Sequence, residues 1–587
     1  MPPKTIAVTA APQARRLVPV AAEILSRHHL GAALSLRLQP DAQLGGEGYH
    51  LRIDGSGIAI DANAPAGIFY GLQTLDQLLP DGSDVREIAG VDVRDWPAYR
   101  WRGIHLDVSR HFFPVAVVER YIGVAAHYKL NVFHWHLTDD QGWRIQILRY
   151  PRLAGVGGCR AGTEMEGDAT EIDAKRYCGY YTQAQIRAVV AYAAQRFVTV
   201  VPEIEMPGHS QAALAAYPQL ACSPGPFRVR ETWGVSDEIL CPSEYTFSFL
   251  ENVLREVMTL FPSPYIHVGG DEVLKDAWEH SAVVRALMRR KHIATYDGVQ
   301  GYVDRRIEEF LAAHGRRMVG WDEILDGGVS KTAIVMSWRG EAGGIEAASR
   351  GNEAVMSPDG PLYFDAYQGD PNDEPLAIGN LSTPEDVYEY EPTPPSLTPP
   401  QAGEVIGVQG NLWTEYVATP SYLFYMLLPR MLSLGEIAWS DPHPRDWGAF
   451  EWRLGAQLPW LAEHGYAYRI PNPEFVVDGV SLRFANVSPS VRTVRATIDP
   501  GTVRVAIVTI VPGASIHYTT DGSLPTVRSA VYAAPIPVSL AAGETSRIQA
   551  VAIQRDGESS TPSELSLGAS SVRVSAGGSR RGVSRPG

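Results

Sequence analysis

The chain has 587 residues, 45% of them hydrophobic, and 51 Lys and Arg against 66 Asp and Glu give it a formal net charge of −15. This composition predicts a folded protein with several buried cores. The acidic balance excludes nucleic acid as a partner, because phosphate binding needs a basic face. No run of about 18 apolar residues occurs, so no membrane-spanning helix is expected.

Residues 1–97 alternate short strand patterns with helical ones. YHLRI (49–53) and GIAIDA (57–62) flank the turn Asp54-Gly55, and apolar residues at helical spacing predict a helix over about 66–79. These patterns indicate a small N-terminal α+β domain that ends at Asp95-Trp96-Pro97.

From 98 to 470 the pattern changes to eight short β-rich runs, most of them separated by stretches of helical period. This alternation is typical of α/β proteins and predicts a (β/α)8 barrel of the TIM type as the central domain. The gap between the fifth and sixth strands is too short for a full helix. Strands are expected at 101–110, 131–140, 198–207, 265–273, 316–324, 333–339, 353–359 and 405–415. Helices are expected at 114–128, 183–196, 243–260, 297–313 and 421–435.

After Pro471 the composition turns to Val, Thr, Ser and Gly, with strand patterns at 503–510, 515–520 and 547–554. Short alternating strands between turn residues predict a small β-sandwich over 471–574. The polar end, 575–587, is expected to be a disordered tail.

The carboxyl ends of the predicted barrel strands, where reactions occur in this fold, are heavily polar or aromatic. Any one such residue is more often a structural polar group than a catalyst, but polar or aromatic residues at all eight strand ends together predict an active site. The residues are Asp107 and Arg110; His134, His136, Asp139 and Asp140; Glu203, Glu205 and His209; Asp271 and Glu272; Trp321, Asp322 and Glu323; Trp338 and Arg339; Tyr363 and Asp365; and Trp413 and Glu415.

A metal site is the first alternative, because His134 and His136 lie two apart on a strand and face the same way. In metal-dependent barrel hydrolases such a pair usually closes the first strand, whereas here it falls on the second. We therefore expect no metal and no cofactor.

The tryptophans at three strand ends favour a carbohydrate, because indole faces stack on sugar rings. Asp271 and Glu272 follow Gly269-Gly270, whose missing side chains let a substrate approach. Neighbours on a strand point to opposite faces, so these two carboxylates are not expected to flank one glycosidic bond as an ordinary acid and nucleophile.

At this point the sequence strongly resembles the family 20 glycoside hydrolases, the β-N-acetylhexosaminidases. The resemblance covers the barrel, the leading α+β domain and the C-terminal segment. It lies in WRGIHLDVSRHFFP (101–114), KLNVFHWHLTDDQGWRIQI (129–147), PEIEMPGHS (202–210), HVGGDEV (267–273), GWDEIL (320–325), Tyr363-Phe364-Asp365, GNLWTE (410–415) and GIFYGLQTLDQLL (67–79).

The resemblance implies an exo-acting, retaining enzyme in which the substrate's own 2-acetamido oxygen is the nucleophile and an oxazolinium forms. It implies that Glu272 is the general acid and base and that Asp271 orients the acetamide. The remaining implied contacts are Trp321, Trp338 and Trp413 around the acetamide and sugar, Tyr363 on the acetamido oxygen, Arg110 on the 3- and 4-hydroxyls, Glu415 on the 4-hydroxyl, Asp365 on the 6-hydroxyl, and Asp139 with His209 as a supporting pair.

The expected partner is an oligosaccharide or glycoconjugate with a terminal β-linked GlcNAc or GalNAc, such as a chitooligosaccharide. Two alternatives stay open: an enzyme that releases a disaccharide such as lacto-N-biose, and a catalytically dead carbohydrate-binding protein. A like charge nearby and a partly apolar pocket are expected to raise the pKa of Glu272. No tryptophan lies between Trp338 and Trp413, so the sequence names no stacking platform for the leaving-group sugar, and Tyr388 and Tyr390 are candidates only.

Cys222 and Cys241 bracket a loop rich in proline and glycine, and their spacing also resembles a bridge in some bacterial relatives. They are the predicted disulfide, with idle thiols as the alternative; Cys159 and Cys178 are expected outside it, although a second bridge between them stays open. The N-terminus has no apolar segment long enough for an export signal before Arg15. The compartment is therefore periplasmic or extracellular if the bridge forms and the signal has been removed, and otherwise cytoplasmic.

Overall fold

The structure, a computed structural model, describes residues 7–30, 32–79, 89–441, 444–478, 480–482 and 493–570. The chain divides into two units, of which the first contains the N-terminal domain and the barrel and the second contains everything from Arg469 onward together with Gly369–Pro375 and Gly448–Pro459. The predicted tail, 575–587, lies outside the described residues. Among the described helices none is long and apolar enough to cross a bilayer.

The N-terminal domain is a five-stranded mixed sheet covered by two helices. Along the sheet the strands run in the order Ala7–Ala10, Ala33–Leu38, Gly57–Ala62, Tyr49–Asp54 and Val91–Asp95. The helices are Val18–Arg27 and Pro65–Leu78. The second helix buries Ile68, Leu72 and Leu75 completely, because these positions recur at helical spacing on the face toward the sheet.

Eight parallel strands close into the barrel that the sequence predicts. In chain order they are Trp101–Asp107, Val132–His136, Thr199–Glu203, Tyr265–His267, Arg317–Trp321, Ile334–Ser337, Ala354–Met356 and Val405–Gly410. We refer to them as the first to the eighth barrel strands. Each reads as a short apolar run in sequence because a parallel strand is buried on both faces.

Helices connect most of the barrel strands. The longer ones are Val115–His127, Gln183–Gln195, Glu244–Leu260, Ala282–Lys291, Tyr296–Ala313, Ala342–Arg350, Pro420–Leu427 and Arg430–Trp439, and the helix Trp447–Glu463 follows in the chain. The fifth and sixth strands are joined by only a 3-10 turn, Asp322–Leu325, as the short gap predicted. The single helix expected over 421–435 is wrong: Pro429 has no backbone N–H to continue the ladder, so two helices form.

The barrel interior changes in character from one end to the other. On the second strand Val132, His134 and His136 point inward in that order, and on the third strand Val201 precedes Glu203. The amino ends therefore enclose an apolar layer, whereas the carboxyl ends enclose ionisable groups that are fully buried. This polar layer lies directly beneath the loops that carry the predicted site.

Arg102, on the first barrel strand, ties the barrel to the N-terminal domain. Its buried guanidinium donates to both oxygens of Glu47, at 2.8 and 3.0 Å, and to the hydroxyl of Tyr70 at 3.1 Å. It also lies over the ring of Trp439, 5.0 Å from the centroid. Bidentate pairs of this kind fix orientation as well as distance.

The C-terminal unit is a β-sandwich, as the sequence predicted. One sheet has four strands in the order Val480–Leu482, Glu474–Val477, Gly501–Val508 and Ile536–Leu540. The other has five, in the order Thr493–Ile498, Ser563–Ala569, Thr545–Ile553, Ser515–Thr519 and Ala530–Val531. Alternate residues from both sheets, including Phe475, Val505, Ile548 and Leu565, meet in one apolar core.

The contact of Arg102 with Glu47 gives a stability prediction. Arg102→Met should lower the free energy of unfolding by about 2 kcal/mol, because it leaves Glu47 without its bidentate partner while Asn131 and solvent still contact it. The exposed pair Arg255 and Glu251 supplies the control, and Arg255→Met should cost less than about 1 kcal/mol. Urea unfolding followed by tryptophan fluorescence measures both, and equal losses would contradict the prediction.

Candidate active site

The loop after the fourth barrel strand carries Asp271 and Glu272 to the mouth of the barrel. The strand ends at His267, and Gly269 and Gly270 then have φ angles of +70° and +95°. A Cβ on Gly269 would lie 1.7 Å from a carboxylate oxygen of Glu205, so any other residue would displace that buried side chain and strain the backbone. Glu272 itself has a φ of +47°, a conformation that non-glycine residues rarely adopt.

The two carboxylates face the same histidine. Nε2 of His209 lies 3.5 Å from Oδ2 of Asp271 and 3.4 Å from Oε2 of Glu272. The expectation that they point to opposite faces is therefore wrong, because the strand has ended and the glycine turn replaces the alternation of a strand. Asp271 is buried, whereas the Glu272 side chain is 41% exposed.

These surroundings shift the pKa values of the two carboxyl groups in opposite directions. Burial raises the pKa of Asp271 to about 6. The contact with His209 lowers the pKa of Glu272, because an imidazolium stabilises the adjacent carboxylate. The expectation of a raised pKa for Glu272 is thus wrong for the free protein. Its like-charged neighbour acts less strongly than the histidine, and its side chain is still in contact with water.

His209 is held from behind by Asp139. Nδ1 of His209 lies 3.1 Å from Oδ1 of Asp139, and the other oxygen of Asp139 contacts Arg110 Nη2 at 2.9 Å. Burial acts to raise the pKa of Asp139, but the charges of Arg110 and His209 hold it well below its ordinary value. The predicted pair of Asp139 and His209 is therefore present, and Arg110 joins it.

The four predicted aromatic residues form one wall. The rings of Trp321 and Trp413 are 5.9 Å apart between centroids, those of Tyr363 and Trp413 are 6.3 Å apart, and Trp338 stacks on Tyr363 at 6.2 Å. The indole N–H of Trp321 donates to Glu203 at 2.9 Å, and that of Trp338 donates to Glu323 at 2.9 Å. The wall is thus fixed from behind by carboxylates.

Arg110, Asp365 and Glu415 lie together at one end of the aromatic wall, beside Trp413. Nη1 of Arg110 lies 3.7 Å from Oε1 of Glu415, and its guanidinium lies 5.1 Å from the centroid of Trp413. Oδ1 of Asp365 and Oε2 of Glu415 are buried and have no hydrogen-bond partner among the described residues. Burial and the neighbouring Glu415 raise the pKa of Asp365 to about 8.

His134 and His136 do face the same way, and both contact Glu203. The groups whose atoms lie close enough to hold a metal ion are His105 with His134 and Glu203, His136 with Glu203 and Glu205, Asp139 with Asp140 and His209, and His209 with Asp271 and Glu272. Glu203 is already contacted by the rings of His134, His136 and His267 and by the indole of Trp321. These polar contacts satisfy the carboxylate without a cation.

Comparison with known families identifies the family of the chain. Residues 99–442 match the family described as "Glycosyl hydrolase family 20, catalytic domain", and residues 7–96 match its "domain 2". The chain belongs to glycosyl hydrolase family 20. Residues 498–564 match the "Chitobiase/beta-hexosaminidase C-terminal domain". The chain is therefore a glycoside hydrolase of the β-N-acetylhexosaminidase family, as the sequence resemblance implied.

Individual relatives agree with this assignment. A "Beta-hexosaminidase" of Porphyromonas gingivalis is 40% identical over 547 residues, which cover 89% of this chain and 67% of that protein. One from Vibrio furnissii is 37% identical over 69% of this chain and 67% of its own. The structure of a family 20 "Exo beta-N-Acetylglucosaminidase" of Vibrio harveyi in complex with N-acetylglucosamine has a TM-score of 0.69 and 32% identity, and covers 79% of this chain and 75% of that one.

Several residues of this family 20 site have no assigned part in the sequence analysis. Gln141 accepts from Nε of Arg110 at 2.9 Å and thereby fixes the guanidinium. Glu323, which accepts from Trp338, has its pKa raised to about 8 by burial and by Asp271. Gln141 directly follows Asp140 of the strand-end list and Glu323 is on that list without a role, so their position in sequence was the only available signal. Their roles depend on contacts between different strands, which spacing along the chain does not contain.

Of the two candidate platforms, Tyr388 is wrong, because its ring is buried against Trp447 and is not available to a sugar. The backbone carbonyls of Tyr388 and Tyr390 both accept from Arg445. The Tyr390 hydroxyl is buried, whereas the residue as a whole is half-buried, so Tyr390 stays a candidate.

All four cysteines are paired. Cys222 is bonded to Cys241, the predicted pair, and Cys159 is bonded to Cys178, the second bridge that had stayed open. The two closed loops touch each other, since the backbone N–H groups of Glu164 and Trp233 each donate across the contact, at 2.8 Å. The second loop also reaches the site, because Gln141 donates to the carbonyl of Thr232 at 3.0 Å.

Peptide mapping of the unreduced protein should find two bridged pairs, 159 with 178 and 222 with 241. Cys222→Ser should lower the melting temperature, because the open loop restores about 3 kcal/mol of chain entropy to the unfolded state in the loop-closure model. Cys159→Ser is the matched control, since its loop has the same 19-residue separation. Four free thiols in protein prepared under oxidising conditions would contradict the pairing.

Proposed function

We propose that the chain is an exo-acting, retaining β-N-acetylhexosaminidase that releases terminal non-reducing GlcNAc or GalNAc by substrate-assisted catalysis. The observation that carries the proposal is the contact of Asp271 and Glu272 with one histidine, beside an aromatic wall that is closed at one end by Arg110. No second carboxylate is needed as nucleophile, because the substrate's acetamide supplies it.

Glu272 is the general acid in this proposal. Its side chain is the exposed member of the pair, so it faces the open side, where the leaving group departs. A bound sugar removes water from Glu272, and desolvation raises the pKa of a carboxyl group toward the value that an acid catalyst needs. After the first step the same carboxylate takes a proton from the attacking water.

Asp271 orients the acetamide nucleophile and stabilises the charge that develops on it. It is buried, and its Oδ1 has no hydrogen-bond partner among the described residues, so it is free to accept from the N–H of the 2-acetamido group. With a pKa of about 6 it is ionised above that pH. Its negative charge then stabilises the positive charge that develops on the acetamide.

The proposed reaction has two chemical steps. In the first, the acetamido oxygen forms a bond to C1 while the bond from C1 to the leaving oxygen breaks, and that oxygen takes the proton of Glu272. In the second, a water molecule gives a proton to Glu272 while its oxygen attacks C1 and reopens the oxazolinium. Two inversions at C1 give overall retention.

The remaining residues hold the sugar. Trp321, Trp338 and Trp413 line the acetamide and the sugar face, and Tyr363 donates to the acetamido oxygen. Arg110 and Glu415 bind the hydroxyls at the far end, and Asp365 binds the 6-hydroxyl. The buried oxygens of Asp365 and Glu415 support this allocation, because buried acceptors without a partner are costly unless a ligand donates to them.

The closed end also favours exo action. An enzyme that releases a disaccharide needs space beyond the 3- or 4-hydroxyl of the reacting sugar, and in the proposed binding mode the contacting pair of Arg110 and Glu415 occupies that side. The Vibrio harveyi relative is named an exo-acting β-N-acetylglucosaminidase, which supports the same specificity. Two disulfides further support a periplasmic or extracellular location, because reducing compartments rarely keep such bonds.

The proposed nucleophile gives a direct substrate test. An aryl β-GlcNAc should be cleaved rapidly, whereas the matching aryl β-glucoside, which lacks the acetamide, should be cleaved at least about 1,000-fold more slowly, because a positioned intramolecular nucleophile contributes several kcal/mol. The comparison is made on kcat/KM with the same leaving group. Similar rates on both substrates would refute the substrate-assisted mechanism.

The two carboxylates should differ in their dependence on the leaving group. Glu272→Gln should slow poor leaving groups by about 1,000-fold but activated aryl groups much less, because only the former need a proton. Asp271→Asn should slow both kinds, since acetamide participation is required whatever departs. If both variants showed the same dependence across a series of aryl β-GlcNAc substrates, the assignment of roles would be wrong.

A further inference from the structure

A chain of buried ionisable groups continues from the active site into the barrel. Nε2 of His136 lies 2.9 Å from Oδ2 of Asp139, and its Nδ1 makes a short contact with Oε2 of Glu203. His136, Asp139 and Glu203 are all essentially inaccessible to water. The groups therefore follow one another in the order Glu203, His136, Asp139, His209 and then the pair of Asp271 and Glu272.

The number of protons on the histidine rings determines the charges along this chain. A neutral imidazole has one N–H, but both ring nitrogens of His136 face carboxylates. With both carboxyl groups ionised, a neutral ring would leave one of these contacts between two acceptors, so the ring carries both protons. Nδ1 of His209 likewise faces Asp139, whereas its Nε2 lies 3.5 and 3.4 Å from the catalytic pair without a hydrogen bond. Burial acts to lower the pKa of His209, but Asp139 and Asp271 hold it well above its ordinary value. Asp139 is thus an anion between two imidazolium rings.

We propose that His136, anchored by Glu203, is a positioning residue that holds a fixed positive charge beneath Asp139 and thereby sets the proton affinities of Asp271 and Glu272. The proposal rests on the function proposed above for these two carboxylates. Burial acts to lower the pKa of His136, but Glu203 and Asp139 raise it to about 10, in agreement with the hydrogen count.

The charged groups around the chain determine the direction of its effect. His136 is faced by Glu203 and Asp139, by Glu205 at 3.9 Å and by the ring of His105 at 5.6 Å. Asp139 is faced by Arg110, and His209 is faced by Asp140 at Nδ1 and by Asp271 and Glu272 at Nε2. Carboxylates outnumber the cations around this chain. Removing the positive charge of His136 therefore leaves them less stabilised and raises the proton affinity of every carboxyl group at the mouth.

His134 provides a matched control. It lies on the same strand, points the same way and is equally buried, and its Nε2 lies 3.1 Å from the same carboxylate, Glu203. Its Nδ1, however, faces the amide nitrogen of Gln409 at 3.0 Å and accepts from it. One proton therefore satisfies this ring, and among the contacts of His134 none joins it to Asp139.

His136→Gln keeps a hydrogen-bond donor but is neutral at every pH. On an aryl β-GlcNAc, both limbs of its kcat/KM profile should move to higher pH by about half a unit to one unit, because Asp271 and Glu272 lose the field of a nearby cation. His134→Gln should lower stability but leave both limbs within about 0.2 units of the wild type. Unmoved limbs in folded His136→Gln, or equal shifts in the two variants, would overturn the proposal.

A measurement on the unaltered protein guards against a variant that does not fold. In protein labelled with 15N at histidine, at least two rings should remain doubly protonated at pH 8.5, where an ordinary histidine is neutral. Finding none would overturn the proposal. This readout does not depend on activity, so it is unaffected if the substrate comparison refutes the acetamide mechanism.

Discussion

The buried carboxylate of Asp139 is the group on which the rest of the active site depends. It contacts Arg110 on one side and the rings of His136 and His209 on the others. A buried anion is tolerated only when its charge and hydrogen-bonding capacity are matched, so these three cations are fixed along with it. Arg110 leads to the closed end of the pocket and His209 to Glu272. One carboxylate therefore connects the end proposed to hold hydroxyl groups to the end proposed to break the glycosidic bond.

The barrel makes this arrangement possible by separating its interior into layers. Apolar side chains such as Val132 and Val201 fill the amino end, and the charged layer lies above them, beneath the mouth. Within that layer Glu203 receives several donors, whereas oxygens of Asp365 and Glu415 have no partner among the described residues. The donors to Glu203 make the layer rigid. The unpartnered oxygens of Asp365 and Glu415 leave acceptors at the positions where hydroxyl groups are proposed to bind, and acceptors that are already in place give a preorganised site its specificity.

Much of the fold was predictable because each buried parallel strand reads as a short apolar run that ends in polar residues. The gathering of the strand-end residues followed from barrel geometry alone. The relation of Asp271 to Glu272 did not follow, because the strand ends at His267 and not at 273 as predicted, and left-handed backbone at Gly269 and Gly270 replaces the alternation. The lowered pKa of Glu272 was also missed, since it depends on a histidine from another loop.

In the proposed reaction the substrate's acetamide, positioned by Asp271, attacks C1. The most direct measurement of this attack is kcat/KM for aryl β-glycosides whose N-acetyl group carries zero, one, two or three fluorine atoms. Fluorine withdraws electrons from the acetamido oxygen and barely changes its size. Attack by the acetamide predicts a steep, monotonic fall across the series. Rates that do not change with fluorine content would show that the acetamide is not the nucleophile and would contradict the account.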